Sequence, residues 1–469
     1  MSVESVHLTP KLSLTSVVVF GLAYMAPAIV MSIFGVIAAA SGGTSPTAFV
    51  LATAAMFLTA LSYAKMAKAF PTSGSAYIYA RRVLDSRVGF LVGWAILLDY
   101  LFLPTVAWLF QSVYLAVQFP LIPVWGWLVI NAGLTTVINI MGIVLTDRVN
   151  KAFTLLAVVI IAIFVAYCLA YLGGNPPASY TAPFWNTSTT IGGVSAAAAI
   201  AAYSFLGFDA VSTLSEETKN ASRNIPRAIL LVVLIGGIIF VAVSYIMQLV
   251  YPGGKFDDPE TASYAMSVLV GGQFFANALN LLGIIGAFAS GLAIQASTSR
   301  LMYVMGRDGV LPRRLFGRLN PRTKTPIFNL VLVGAISLLA VNLSLDVATS
   351  FINFGAFLAF TAVNLCVIAY FMRNHRNGIR LSIVGFIFLP LLGAGVDIYL
   401  LTQLSAVAIT IGCCWLGLGI IYLAFLTKGF RHEPPEMRLE NTNDKQSAHD
   451  KRDVVLQGEG LGQVAPSRE

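Results

Sequence analysis

The apolar positions of this chain come in long unbroken runs, each close to the roughly 20 helical residues needed to cross a hydrocarbon core about 30 Å thick. The pattern predicts twelve such runs, at about 14–40, 46–69, 88–118, 125–145, 152–172, 191–215, 228–250, 273–299, 327–345, 349–371, 382–403 and 405–427. Runs of that length call for helices and not porin strands, because a lone helix satisfies its own backbone in lipid. The expected fold is an all-α integral membrane protein with twelve transmembrane helices.

Composition agrees. The 469 residues are 57% hydrophobic and 11% charged, with a mean hydropathy of +0.80, whereas a soluble domain carries about 25% charged residues. Soluble enzyme folds are excluded. With the N-terminus inside, 28 of the 29 Lys and Arg residues fall on inner segments, and only Lys255 lies outside, among Asp257, Asp258 and Glu260. Short loops obey the positive-inside rule this sharply only when the number of spans is right. The partition therefore puts both termini in the cytoplasm. It also explains the net charge of +8 by topology and contact with anionic lipid, without a nucleic-acid partner.

Residues 1–13 are short and polar with no cleavage pattern after the first apolar run, which reads as an anchor. From 428 to 469 the chain is polar and ends Gly-rich, as a disordered cytoplasmic tail would. Cys168, Cys366, Cys413 and Cys414 all fall in spans and read as small buried residues. No cofactor or metal cluster is expected.

Two spans carry signs of interruption. In "LTSVVVFGLAYMAPAIVMSIFGVIAAASGG" Pro27 removes a backbone donor, with Gly21 and Gly35 on either side. In "TIGGVSAAAAIAAYSFLGFDAVSTLSEE" Gly207 is followed at once by Asp209. Breaks in spans one and six point to a transporter built of two inverted halves, 14–172 and 191–371, with the substrate held where the breaks meet. Ala26, Pro27 and Gly207 would offer freed backbone groups there.

Three acids lie within spans, and an intramembrane carboxylate marks a functional pathway by default. Asp99 is about eleven residues into span three, roughly 16 Å deep at 1.5 Å per residue. It would hold a substrate ammonium or carry a proton, and Tyr100 beside it offers a ring face and a hydroxyl. Asp209 would face the substrate from the second break or cap the helix that resumes there. Phe205 and Phe208 would close over a ligand or pack in the core. Glu216 and Glu217 would reach a distal amine or form solvated pairs with Lys219 and Arg223. Asp397, in span eleven, is not assigned to the substrate. Asn353 and Asn364 fit interhelical hydrogen bonds.

The stretches "GLAYMAP", "FPTSGSAYIYARRVLDSRVGFLVGW", "LLDYLFLP", "SFLGFDAVSTLSEETKNASRNIPRAI", "SRLMYVMGRDGVLP" and "INFGAFLAFTAVNL" resemble, in order, the amino acid, polyamine and organocation permeases. The likeness runs from 14 to 427 and is strongest to the bacterial putrescine-importer branch. It implies a LeuT-type 5+5 inverted repeat with helices 1 and 6 broken and the helices of 382–427 peripheral. It further implies import of a small amine, an amino acid or polyamine, across the bacterial inner membrane by a cation gradient or exchange. Tyr303 becomes a candidate substrate contact by the same resemblance.

Ser32 stands where that branch is expected to carry an acid, which weakens a dication and favours a monoamine or amino acid. Lys151 lies only at the inner end of span five, which weakens a lysine-based proton mechanism. Sodium would need hydroxyls such as Ser297, Thr298 and Ser299. The other readings are an exchanger, a nutrient sensor of the same fold and a major facilitator; the short inner loop after span six argues against the last. No nucleophile, metal or phosphate-cradling constellation suggests an enzyme.

Overall fold

The computed structural model describes residues 12–72, 75–142, 147–323 and 325–435. Side chains at 147–154, 216 and 342 lie outside that description, and with them the expectations for Lys151 and Glu216. So do those for residues before 12 and the tail from 436 onward.

The first apolar run forms two helices, α1 (Leu14–Met25) and α2 (Ile29–Ala40), bent by 49° at the residues between them. Pro27 is the cause. It has no N–H for the Ala23 carbonyl four residues back, and the Ala26 N–H takes that carbonyl instead at 3.2 Å. Ala26 is thereby thrown into the left-handed region at φ 45°.

The chain continues through α3 (Ser45–Ala69), the short α4 (Ser75–Val83), α5 (Ser86–Gln118), α6 (Val124–Ile140), α7 (Asp147–Gly174) and α8 (Ile191–Ala201). The sixth run then loses α-helical geometry. A 3₁₀ turn over Ala202–Phe205 leads to Gly207 at φ 113°, and a second 3₁₀ stretch runs over Asp209–Glu217. After it come α9 (Ala221–Val250), α10 (Ala262–Arg307), the one-turn α11 (Arg313–Phe316), α12 (Ile327–Ser337), α13 (Leu345–Arg376), α14 (Leu389–Thr402) and α15 (Ala406–Leu426). Gly272, at φ 78°, divides α10 into a short first piece and the span proper.

Among the described residues nine helices are long and apolar enough to cross a membrane, ten if the bent α1–α2 pair is one span. Two shorter apolar helices, Val124–Ile140 and Ile327–Val341, correspond to the fourth and ninth runs.

The helices form an enclosed centre and a lipid-facing rim. In α13, 78% of the apolar window is buried, against 22% in α7 and 17% in α15. Outward apolar side chains such as Leu155, Ile421 and Phe425 supply the surface that lipid covers. The position of α15 also corrects one expectation: Cys168 and Cys366 are buried, but Cys413 and Cys414 are exposed, because that helix lies at the rim. The centre is closed by small residues. Gly237 of α9 meets Thr53 of α3, and Gly355 of α13 meets the backbone of α5 at Ala95 and Asp99, the close approach by which membrane helices gain packing. Residues 430–434 fold back on the α4–α5 corner, where Arg87 donates to the Phe430 carbonyl (2.6 Å) and Arg81 lies 3.9 Å from Glu433.

Candidate substrate site

The two interruptions meet. A side chain at Gly207 would run into the Tyr24 ring in the last turn of α1, so the second break rests directly on the approach to the first. Around this contact lie Asp99 and Tyr100 of α5, Tyr203 of the first 3₁₀ turn and Asp209 of the second. The Tyr24 phenol is within electrostatic reach of both Asp99 and Asp209, and its hydroxyl faces that of Tyr100. Tyr203 is within reach of Asp99, and the two carboxylates are within reach of each other. All five side chains lie deep among the helices, yet each residue is only half-buried.

Asp209 is held by backbone. Its Oδ1 accepts from the Gly207 N–H at 3.3 Å, so the carboxylate folds back over the break and not over the helix that resumes, whose start has no side-chain cap. Asp99 is held less: its Oδ1 is buried with no hydrogen-bond partner among the described residues. A buried oxygen left without a donor is costly unless something supplies one. An ammonium group can supply one to three.

The floor under Asp99 is a second consequence of proline. Pro104 sits inside α5 and cannot donate to the Tyr100 carbonyl four residues back. The Thr298 hydroxyl of α10 donates to that carbonyl instead, at 2.9 Å. Ser299 donates to its own helix at Ala296. Those two hydroxyls are therefore structural donors, and Ser297 is exposed.

The remaining sequence candidates separate. Ala26 is exposed at the first break and Pro27 buried beside it. Phe205 is fully buried edge-on to Phe240 of α9, with ring centroids 5.1 Å apart. Phe208 is fully buried between Tyr63 of α3 (5.4 Å) and Phe360 of α13 (5.2 Å). Both rings are engaged in core packing in this conformation. Glu217 ends the second 3₁₀ stretch, about 16 Å beyond Asp209 at roughly 2 Å per residue. Its carbonyl pairs with the Leu12 N–H at 2.9 Å. Tyr303 is half-buried on α10, five residues past Thr298. Asn353 donates from α13 to the Ala199 carbonyl of α8 at 2.8 Å, an interhelical tie.

Tyr24 and Tyr203 are site walls that sequence reasoning did not single out. Tyr24 stands three residues before Pro27, and Tyr203 follows the small-residue run 195–202. Those positions were the available signals.

On the face that the charge pattern puts outside, a cavity of about 480 Å³ opens between α2 and α8, lined by Asp258, Glu260 and Asp346. Tyr114 of α5 donates to or accepts from Ser263 at 2.7 Å, faces Ser32 of α2 and lies within electrostatic reach of Asp258 and Glu260. The Tyr114 phenol thus faces both the hydroxyl at 32 and acids from a different segment.

A family model described as amino acid permease matches residues 12–434, and the chain is 41% identical to the low-affinity putrescine importer PlaP of Escherichia coli over 92% of its own length and 96% of that protein's. The chain belongs to the amino acid permease family. It is also 28% identical to the branched-chain amino acid permease BcaP of Bacillus subtilis, over 81% of this chain and 85% of that one. A manganese transporter from Eremococcus coleocola shares the fold, with a TM-score of 0.52 at 14% identity over 92% of this chain and 99% of that one. The two sequence relatives are a putrescine importer and an amino acid permease, and the chain is a multi-pass membrane permease and not an enzyme.

Proposed function

We propose that this permease is a secondary active importer in the bacterial plasma membrane. It binds the ammonium group of an amino acid or polyamine between Asp99 and Asp209 and moves it by alternating access, coupled to a proton or sodium gradient. The observation that carries this reading is the convergence of two half-buried carboxylates, one with an unpartnered oxygen, on the junction of two interrupted helices. A cation is the ligand that such a site lacks.

The other residues take roles consistent with their positions. Tyr24, Tyr100 and Tyr203 present ring faces and hydroxyls to the cation. Ala26, Pro27 and Gly207 give the backbone bend that opens the site, and an amino-acid carboxylate would meet the uncapped N-terminus of α2. Phe205 and Phe208 would move only if the packing around the break is released, and Glu217 and Tyr303 would line the inner route. The nine long helices, the bent pair and the two short apolar helices support twelve spans. Interruptions in spans one and six support a 5+5 inverted repeat with α14 and α15 outside it. The distribution of Lys and Arg supports cytoplasmic termini.

Putrescine is the first substrate to try, on the strength of the 41% identity to a putrescine importer. Asp258 and Glu260, within electrostatic reach of the Tyr114 phenol that faces Ser32, would offer a second ammonium the charge that position 32 lacks. Uptake of labelled putrescine by liposomes containing the purified protein, competed by neutral and basic amino acids, tests the reading. Saturable uptake abolished by Asp99→Asn supports it; wild-type uptake no faster than through empty liposomes, for every amine and amino acid tried, rejects it.

A further inference from the structure

A third buried carboxylate lies outside the substrate site. Asp397 of α14 is completely buried. Its Oδ2 accepts from the Thr59 hydroxyl of α3 at 2.8 Å and from the Asn364 amide of α13 at 3.0 Å, and Asn364 also reaches Thr59 at 3.1 Å. Its Oδ1 has no partner among the described residues, and neither has the Asn364 Oδ1.

Among the described residues no cation answers this carboxylate. The elements packed against α14 are α13, α3, the π turn Val384–Phe388 and α8. From α3 the Tyr63 phenol is within electrostatic reach. Lys65, on the same helix, instead donates to the Gly385 carbonyl and lies 5.1 Å from the Phe386 ring centroid. That carbonyl is free because its partner in the π pattern would be Pro390, which has no N–H. From α13 comes Asn364, with Cys366 two residues on, and neither α8 nor the π turn contains an ionisable residue. A charge so enclosed and unpaired is expensive in a membrane interior unless the carboxyl takes up a proton. Four side-chain oxygens, one of them already donating and one already accepting twice, fall short of the six or so ligands a hard cation prefers.

The partners of Asp397 connect it to the substrate site. Thr59 is four residues before Tyr63, and Asn364 four residues after Phe360, so each pair shares one helix face. Tyr63 and Phe360 are the rings that enclose Phe208, whose neighbour in the chain is Asp209. One helical turn on each of two helices thus joins the Asp397 cluster to the second break.

We propose that Asp397 is a proton-binding site that couples protonation to the release of Phe208 at the second break. Protonation turns the carboxyl from acceptor into donor, and the Asn364 amide then serves as acceptor by exchanging its oxygen for its nitrogen. The two donations that hold α3 and α13 to Asp397 of α14 are broken or reversed, and the two rings part. The coupling half of this proposal rests on the transport reading above.

Infrared difference spectroscopy of the purified full-length protein in lipid, recorded across a pH titration, tests the site without a substrate. A protonated-carboxyl band present in the wild type and in Asp209→Asn but missing in Asp397→Asn is expected; a band unchanged in Asp397→Asn overturns the proposal. In liposomes, an inward acid gradient should speed wild-type uptake of labelled putrescine several-fold. Asp397→Asn should lose that acceleration while still exchanging labelled for unlabelled putrescine. An equal response to the gradient in both proteins also overturns it. If the wild type neither takes up nor exchanges putrescine, the transport reading fails and the infrared result still decides the site. Should Asp397→Asn not fold, Thr59→Val keeps the carboxyl and removes one donor. It should shift the midpoint of the infrared band, and an unmoved midpoint counts against the proposal.

Discussion

Gly207 lies flat against the ring of Tyr24, so closely that no larger residue fits between the two broken spans. The contact joins the end of α1 to the turn that carries Asp209, and each interruption is held open partly by the other. Because Gly207 is also at φ 113°, two separate demands fix its identity.

Gly207→Ala should therefore fail twice. The backbone conformation costs about 1–3 kcal/mol for a residue with a Cβ, and the added methyl must displace the Tyr24 ring. A lower melting temperature together with loss of uptake is expected, measured on detergent-purified protein and in liposomes. Unchanged stability would show that the turn relaxes freely.

The Pro104–Tyr100–Thr298 arrangement makes a prediction about coupling between mutations. Thr298→Val strands the Tyr100 carbonyl and should cost about 1–3 kcal/mol. Pro104→Ala restores the helical donor, so in its background Thr298→Val should cost much less. A double-mutant cycle on thermal stability reads this directly, and strict additivity would mean that the Thr298 hydroxyl does not replace the missing helix bond.

At the cavity between α2 and α8, Glu260 uses one oxygen to accept from the Leu345 N–H at 2.9 Å, capping α13, and contributes its charge to the acidic lining. Glu260→Gln keeps the acceptor and removes the charge. Putrescine uptake should fall several-fold at low salt and little at high salt, with neutral amino acids unaffected, as expected of a charge that raises local cation concentration. Equal effects on charged and neutral solutes would assign Glu260 to the cap alone.

The sequence made the outline of this protein legible because its strongest signals are local. Pro27 and Gly207 announce the interruptions by their own backbone chemistry, and Asp99 and Asp209 stand out against apolar neighbours. What it did not reveal depends on contacts between distant segments. Nothing at Tyr24 predicts that Gly207 will lie on its ring, 183 positions away by number. Thr59 meets Asp397 across a separation of 338 residues. The phenylalanines at 205 and 208 illustrate the same limit, since their engagement with Phe240, Tyr63 and Phe360 follows from how α3, α9 and α13 pack. Asp397 was visible as an acid in a span, but its two partners and its link to the break were not.

Calorimetric titration of putrescine into the purified wild type, Asp99→Asn and Asp209→Asn tests the central claim most directly. A charge-assisted hydrogen bond is worth about 1.5–3 kcal/mol, so each substitution should weaken binding by roughly tenfold or more, with the folded protein otherwise intact. Wild-type affinity in both variants would show that the ammonium is not held between these two carboxylates.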